Sequence, residues 1–273
     1  MKGLLFYDAI GAMRNKWFIE RLIESANELG HELELVIFDG KLPPLAQLEG
    51  CDFAIVRTIA PRLNEWIEGF NIPVFNNAKT SFTANDKYQT YLYAWQRRLP
   101  IMPTLQPREF QEIAMYFAPP YVLKTVDGHG GSEVFLIETE EKCKELLSIY
   151  DANKIIVQKM CSEPGVDMRV YVLGAEILAA VKRTSDTDFR SNFSLGGKAQ
   201  ITEVPDEVKE IIYRVAGDLE CDFVGIDFIR HEGEWVLNEI EDVVGTRMLY
   251  SLTDIDAARV YMEYIINKMK KKA

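Results

Sequence analysis

Near its C-terminus the chain carries three carboxylates within two apolar, strand-like stretches: Asp227 in FVGIDFIR, and Glu239 and Glu241 in WVLNEIED. Side chains alternate between the two faces of a strand, and the acids fall on faces that are otherwise apolar and predicted to be buried. A three-residue turn around Gly233 would join the stretches as a hairpin and set Asp227 opposite Glu239. With a slip of one residue, Asp227 would face Asn238 instead.

Buried acids of this kind need a positive partner. Two carboxylates about 4 Å apart repel by about 4 kcal/mol at an effective dielectric constant near 20, a large part of the stability of an ordinary domain. Carboxylate oxygens suit Mg²⁺, so Asp227, Glu239 and Glu241 are predicted metal ligands. The alternative is a solvated hairpin edge whose acids point at water. Strand alternation predicts that Asn238 faces away from the acids.

The composition is typical of a globular protein. A chain of 273 residues exceeds a single typical domain, so two or three compact units that share a cleft are expected. Hydrophobic residues make up 48% of the chain, and no apolar stretch approaches the ~20 residues of a membrane span. The formal net charge of -11 disfavours a nucleic-acid partner, because binding a phosphate backbone needs a basic face. The scattered cysteines form neither a zinc pattern nor a disulfide framework, which favours a reducing, cytoplasmic location.

The first part of the chain has the alternating pattern of an open α/β sheet. No G-x-G-x-x-G follows the first strand-like run, which argues against a dinucleotide-binding Rossmann domain. Trp17 and Trp66 have helical spacing and are predicted to lie in the core. From about residue 121 the pattern becomes α+β, with one helix at 206–219 before the acidic hairpin.

A glycine-rich loop joins two strand-like runs in YVLKTVDGHGGSEVFLI, residues 121–137. Its three glycines let several backbone N–H groups converge in a nest that favours phosphate oxygens. The G-K-[ST] ending and the following helix of a P-loop are both missing. Lys124 shares a strand face with Val122 and Val126, where an ammonium group needs an anion. The pattern favours a nucleotide phosphate site and leaves open a bulged hairpin with a snorkelling lysine.

A series of motifs spans about residues 76–249. It comprises Lys124 with the glycine loop, VQKM at 157–160, DMR at 167–169, DFRSN at 188–192, Gly196-Gly197, Asp227 and Glu239. In this order the motifs resemble those of the ATP-grasp superfamily, and in particular of RimK-type carboxylate–amine ligases. The resemblance implies an α/β N-terminal domain of the pre-ATP-grasp type, followed by an α+β ATP-grasp fold whose two lobes enclose an ATP cleft. The implied units are 1–84, 85–156 and 157–273.

The resemblance also implies an activity. In such ligases ATP phosphorylates a carboxylate, and an amine attacks the acyl phosphate to give an amide, ADP and phosphate. The implied cofactors are ATP and two Mg²⁺ ions, with Mn²⁺ as a substitute. The implied partners are a small-molecule or peptide carboxylate and an amine, and a homo-oligomeric assembly is left open. Two alternatives are a kinase-like phosphotransferase that forms no amide and a non-catalytic ATP-binding regulator.

Roles carry over to the positions that match the family's motifs. The implied catalytic residues are Arg190, Lys124 and Asn192, with Arg190 at the transferred phosphoryl group because a guanidinium binds phosphate oxygens bidentately. Asp167 is implied at the ribose, and residues 158–161 at the adenine. The implied nucleotide-binding residues are Lys87, Lys124, Gly128, His129, Gly130, Gly131, Ser132, Gln158, Lys159, Met160, Cys161, Asp167, Arg169 and Arg183.

One metal position departs from the family's pattern. The family has Glu-x-Asn where this chain has Glu239-Ile240-Glu241. A glutamate keeps the oxygen ligand and adds a negative charge, so Glu241 is predicted to hold metal. Arg169 and Arg183 could also be ordinary surface-strand residues, and Arg247 either binds a substrate carboxylate or pairs locally. Further substrate candidates, each with a structural role as the alternative, are Asp8, Arg14, Arg57 and Asn76.

Overall fold

The computed structural model describes residues 1–128, 130–131, 133–190 and 197–272. Three predicted site residues, His129, Ser132 and Asn192, lie outside this range. Within it the chain forms three β-sheets with helices packed against them. No helix of the described part is both long and apolar enough to cross a lipid bilayer.

The first sheet is parallel and has helices on both faces. Its elements are β1 (Lys2–Tyr7), α1 (Ala9–Arg14), α2 (Lys16–Glu28), β2 (Glu32–Ile37), α3 (Leu45–Leu48), β3 (Phe53–Val56), α4 (Pro61–Glu68), β4 (Val74–Phe75) and α5 (Ala78–Ala84). The strand order is β2-β1-β3-β4. Alternate residues of β1 pack on opposite sides, Leu5 against α2 and Leu4 against α4, as a sheet covered on both faces requires.

The second sheet is antiparallel, in the order β5-β8-β6-β7. Its elements are α6 (Lys87–Gln96), β5 (Thr104–Leu105), α7 (Phe110–Tyr116), β6 (Tyr121–Thr125), β7 (Val134–Ile137), α8 (Glu140–Ile149) and β8 (Ile155–Lys159). Helix α6 begins at Lys87, because the Asp86 carboxylate accepts from the N–H groups of Tyr88 and Gln89. The glycine loop connects β6 to β7 and therefore lies at the end of these two paired strands.

The third sheet is also antiparallel, in the order β11-β10-β9-β12-β13. Its elements are β9 (Glu163–Leu173), β10 (Glu176–Thr184), β11 (Lys198–Ile201), α9 (Asp206–Leu219), β12 (Phe223–His231), β13 (Glu234–Glu241), α10 (Arg247–Leu252) and α11 (Ala257–Lys272). Helix α9 packs Ile212 and Val215 against Val170 and Val224 of the sheet. Its bounds agree with the predicted helix at 206–219.

The acidic hairpin pairs as predicted, but with a different turn. Asp227 lies opposite Glu239. The turn has two residues, Glu232 and Gly233, with φ of 54° and 85°, and two positive φ values suit a tight hairpin. A β-bulge at Asn238 inserts one residue into β13 and restores the expected pairing. Because the bulge changes the alternation, Asn238 lines the same cleft as the acids, and the prediction that it faces away is wrong.

Asn76 links the first sheet to the third through buried hydrogen bonds. Its side chain is 3% exposed. The amide nitrogen donates to the carbonyls of Phe223 (2.9 Å) and Asp242 (3.0 Å), and the amide oxygen accepts from the N–H of Asp222 (2.7 Å). These contacts give Asn76 a structural role at the junction of the two sheets.

Replacing Asn76 with alanine is expected to lower the free energy of unfolding by about 2–3 kcal/mol, since it leaves buried backbone groups without partners. Urea denaturation measures the effect. Asn27, which is exposed on α2, supplies the matched control, and Asn27→Ala should stay within about 0.5 kcal/mol of wild type. Equal effects of the two substitutions would contradict the structural role of Asn76.

The two tryptophans predicted to be in the core are not buried. Trp17 is 57% exposed and Trp66 is 38% exposed. The ring of Trp17 packs edge-on against Tyr250 with centroids 4.6 Å apart, and Trp66 donates from Nε1 to the carbonyl of Pro43 at 3.0 Å. Helical spacing locates the apolar face of a helix, but wide rings at the border of that face stay partly in water.

Candidate active site

A cleft between the second and third sheets brings most of the predicted site residues together. It encloses about 840 Å³, counted to its open mouth. Arg169 is 8% exposed and lies behind this lining, against the acids. The predicted residues that line the cleft are Lys87, Lys124, Gly128, Gly130, Gly131, Gln158, Lys159, Met160, Cys161, Asp167, Arg183, Arg190, Asp227, Glu239 and Glu241.

Apolar side chains that sequence reasoning did not single out also line the cleft, among them Val134, Phe189 and Ile229. Together with Met160 they offer surface for a flat ring, as many ligand pockets do. The N–H of Lys159 donates to the carbonyl of Pro103 at 3.0 Å. Because the Lys159 N–H is used in this hydrogen bond, the Lys159 carbonyl is the backbone group of that residue suited to contacting the edge of a base.

Lys87 and Lys124, two of the predicted nucleotide-binding residues, have different partners. The ammonium of Lys87 lies 3.1 Å from a Glu239 carboxylate oxygen and also donates to the Gly128 carbonyl of the glycine loop. The ammonium of Lys124 donates to two amide oxygens, those of Gln158 at 2.7 Å and Asn238 at 3.1 Å. Burial lowers the pKa of Lys124 to about 8, although the negative charge of Glu239 acts in the opposite direction.

Asp227 is the centre of a buried ion-pair network. Arg169 binds it bidentately, with Nε–Oδ1 and Nη2–Oδ2 distances of 2.8 and 2.7 Å, and Arg183 donates to the same Oδ2 at 2.9 Å. Arg183 also binds Asp167 bidentately, at 2.6 and 2.7 Å. Burial alone would raise the pKa of Asp227, but the two guanidinium groups outweigh burial and hold that pKa at about 2. Asp227 is therefore ionised in the folded protein.

Glu241 is less well compensated than Asp227. Its Oε1 accepts from Arg169 Nη2 at 2.5 Å, and 26% of the side chain stays exposed at the cleft. Burial, together with the nearby charges of Asp227 and Glu239, raises the pKa of Glu241 to about 7 against the effect of Arg169. A further cation at this place would therefore stabilise the charged form of Glu241.

Each of the three acids forms an ion pair with a cation of the protein. Arg169 and Arg183 bind Asp227, Arg169 also binds Glu241, and Lys87 binds Glu239. Within the described ranges, no three His, Cys, Asp or Glu side chains already stand as a metal-ligand group. The chemistry of the three acids nevertheless fits Mg²⁺, because they present hard oxygens in one cleft and a further cation would stabilise the ionised form of Glu241, whose pKa is raised.

Arg190 connects the third sheet to the glycine loop. Its Nη1 donates to the carbonyl of Gly131 at 2.7 Å, while Nε and Nη2 bind Asp188 at 3.0 and 2.8 Å. Asp188 raises the pKa of Arg190, so the guanidinium stays charged. Arg190 therefore places a positive charge in the cleft and also contacts the glycine loop directly.

Three of the substrate candidates in the N-terminal part have structural contacts. The Asp8 carboxylate caps α1 through the N–H of Gly11 (2.8 Å) and accepts from the Thr58 hydroxyl (3.0 Å). Arg57 is 6% exposed and donates to the carbonyl of Val244 at 2.6 Å. Asn76 holds the sheets together, as described above. The other two candidates, Arg14 and Arg247, are exposed.

The fold and the cleft define an ATP-grasp protein. The family model described as a RimK-like ATP-grasp domain matches residues 104–265. The chain belongs to this family, and the predicted resemblance is confirmed. Family membership places it among the ATP-dependent carbon–nitrogen ligases.

Two sequence relatives illustrate the match. The MG011 homologue of Mycoplasma pneumoniae is 28% identical over 277 positions, which cover 98% of this chain and 94% of that protein. A probable alpha-L-glutamate ligase of Parasynechococcus marenigrum is 25% identical over 275 positions, which cover 91% of this chain and 59% of the relative. The chain thus spans about three-fifths of that ligase.

Solved structures share the fold over the full chain. A D-alanine–D-alanine ligase of Bacillus anthracis superposes with a TM-score of 0.79 at 14% identity, covering 100% of both chains. The ATP-grasp ligase PsnB, complexed with its minimal precursor, Mg and ADP, gives a TM-score of 0.73 at 15% identity, covering 98% of this chain and 97% of PsnB. These matches confirm the predicted fold class.

Proposed function

We propose that the protein uses ATP to activate a carboxylate as an acyl phosphate and then joins it to an amine, releasing ADP and phosphate. The observation that carries the proposal is the cleft itself, where Lys124 and Arg190 lie with the acid cluster around Asp227 beneath a glycine-rich loop. Support comes from the relative named as a probable alpha-L-glutamate ligase and from PsnB, which binds Mg and ADP in the same fold.

The nucleotide would lie along the cleft. Its phosphates would meet Lys87, Lys124 and the N–H groups of the glycine loop, because these are the cationic and nest-forming groups of the lining. The adenine would lie against Met160 and the backbone of residues 159–161. Residues 85–156 and 157–273 would then form the two lobes of the ATP site, and the α/β unit 1–84 would complete the substrate side.

Asp227, Glu239 and Glu241 would hold Mg²⁺, and Glu241 would do so in place of the family's asparagine. When bound, the metal neutralises phosphate charge during in-line transfer. On the protein side, Glu239 would have to exchange its contact with Lys87 for the ion. That exchange would free the Lys87 ammonium for the phosphates.

In the first step, a carboxylate oxygen of the substrate attacks the γ-phosphorus, and the bond to the β-phosphate oxygen breaks to release ADP. Arg190 stabilises the charge on the migrating phosphoryl group, and its contact with Gly131 holds the loop over the reaction and excludes water. In the second step, the amine nitrogen attacks the acyl carbon, phosphate leaves with the bonding pair, and the amine loses a proton. The expected substrates are an amino acid or peptide carboxylate and an amine.

The testing experiment measures ADP release with MgATP over a panel of carboxylates and amines, followed by mass spectrometry of the product. The proposal predicts ADP in equal amount to an amide, and a hydroxamate when hydroxylamine replaces the amine. A stable phosphorylated product with no amide would support the phosphotransferase alternative instead. Tight ATP binding with no ADP for any acceptor, hydroxylamine included, would support the non-catalytic regulator.

A further inference from the structure

The cations that line the cleft differ in whether their direct partner is a carboxylate or a neutral group. Lys87, Arg183 and Arg190 each contact a carboxylate, and Lys159 is exposed. Lys124 contacts neutral groups instead, the amide oxygens of Gln158 and Asn238. Lys124 is thus an inward-facing cation whose direct partners, two amide oxygens, carry no charge.

The geometry at Lys124 also leaves one donor for a ligand. An ammonium group has three N–H donors, and the two amide oxygens take two of them. Within the part of the chain that the structure describes, no further acceptor lies at hydrogen-bond distance from the Lys124 ammonium. The third donor is therefore available to an anionic ligand in the cleft, which Lys124 helps to line.

Asn238 reaches Lys124 through an irregularity of the backbone. In a regular strand it would face away from Glu239, because neighbouring side chains alternate. The bulge in β13 removes this alternation locally and turns the amide into the cleft. Bulges re-aim side chains next to functional sites, and here the re-aimed group is a neutral acceptor rather than a carboxylate.

We propose that Asn238 is a positioning residue which, together with Gln158, forms a neutral amide clamp that aims the Lys124 ammonium at the nucleotide phosphates without neutralising its charge. The proposal rests on the proposed ATP site, and it assigns a role to Asn238, which is not among the predicted site residues. A carboxylate at position 238 would also hold the Lys124 ammonium in place, but it would form an ion pair with it. The nucleotide phosphates would then have to compete with that carboxylate for the ammonium.

The test measures the dissociation constant of MgATP by calorimetry, with no carboxylate or amine substrate present. Asn238→Leu, which keeps the branching and the number of heavy atoms but has no acceptor, is expected to weaken binding about tenfold, or ~1.4 kcal/mol. In a Lys124→Met background the same substitution should change the constant by less than about twofold, because the positioned group is gone. Asn238→Asp, which keeps the shape, should also weaken binding about tenfold because it compensates the ammonium. Asn27→Leu and Asn27→Asp, at an exposed position of α2, are the matched controls.

Equal losses for Asn238→Leu in the wild-type and Lys124→Met backgrounds would overturn the proposal, since they would show a general packing role. Binding by Asn238→Asp that is as tight as wild type would overturn the neutral clamp. Binding is measured without turnover, whereas the proposed function is judged by its amide product. Failure of the ligase reaction and failure of this inference are therefore separate results.

Discussion

Replacing Asp227 with asparagine is expected to lower kcat at least about a hundredfold, the loss typical of removing one preorganised charge from a transition state. Asp227 is 3% exposed, lines the cleft and is held ionised by Arg169 and Arg183. Asparagine keeps the shape and one oxygen but removes the charge that Mg²⁺ would share with the two arginines. Because Arg169 keeps its contact with Glu241 and Arg183 keeps Asp167, we expect the variant to fold and to lose mainly the chemical step.

ADP release at saturating substrate, measured across a series of Mg²⁺ concentrations, checks this expectation. Asp186→Asn is the matched control, because Asp186 forms an exposed pair with Lys198 and should leave kcat unchanged. Circular dichroism would establish that both variants are folded. An Asp227→Asn enzyme that kept wild-type kcat and an unchanged Mg²⁺ dependence would remove Asp227 from the metal site.

Replacing Arg169 with methionine is expected to lower the free energy of unfolding by about 3–5 kcal/mol, the cost of leaving a buried charge without its partner. Arg169 binds Asp227 through two hydrogen bonds and Glu241 through a third. Methionine fills much of the space but cannot offset either carboxylate. A loss of this size is a large fraction of the stability of an ordinary domain.

Urea denaturation at neutral pH measures the change. The control is Arg259→Met, because Arg259 also contacts two carboxylates, Glu28 and Glu263, but at the surface. It should cost less than about 1 kcal/mol, since water screens such pairs. Similar losses for the two arginines would show that the network around Asp227 contributes no more than a surface ion pair.

The sequence predicted those parts of the fold that depend on local pattern. Helix α9 has a strong apolar stripe bounded by an acidic first turn, and its predicted range agrees with the structure. The pairing of Asp227 with Glu239 was also predicted correctly, although the turn is tighter than expected and the bulge at Asn238 compensates for it. Single-residue bulges leave little trace in a hydrophobic pattern, and for this reason strand alternation places Asn238 on the wrong face.

The partners of the acids could not be predicted from the sequence. Repulsion among buried carboxylates indicates that a cation is needed, but it does not distinguish a metal ion from an arginine. Arg169 lies 58 residues before Asp227 in the chain, and only the pairing of β9 with β12 brings the two together. The structural roles of Asp8, Arg57 and Asn76 likewise depend on contacts between distant segments.

In the proposed function, the acids on β12 and β13 bind divalent ions that hold a nucleotide triphosphate under the glycine loop. A crystal structure with a non-hydrolysable ATP analogue and Mn²⁺, read from the anomalous signal of the metal, tests it most directly. We expect metal bound by Asp227, Glu239 and Glu241, with the phosphates at Lys87 and Lys124. Metal held only by water and phosphate, or a nucleotide bound outside this cleft, would contradict it.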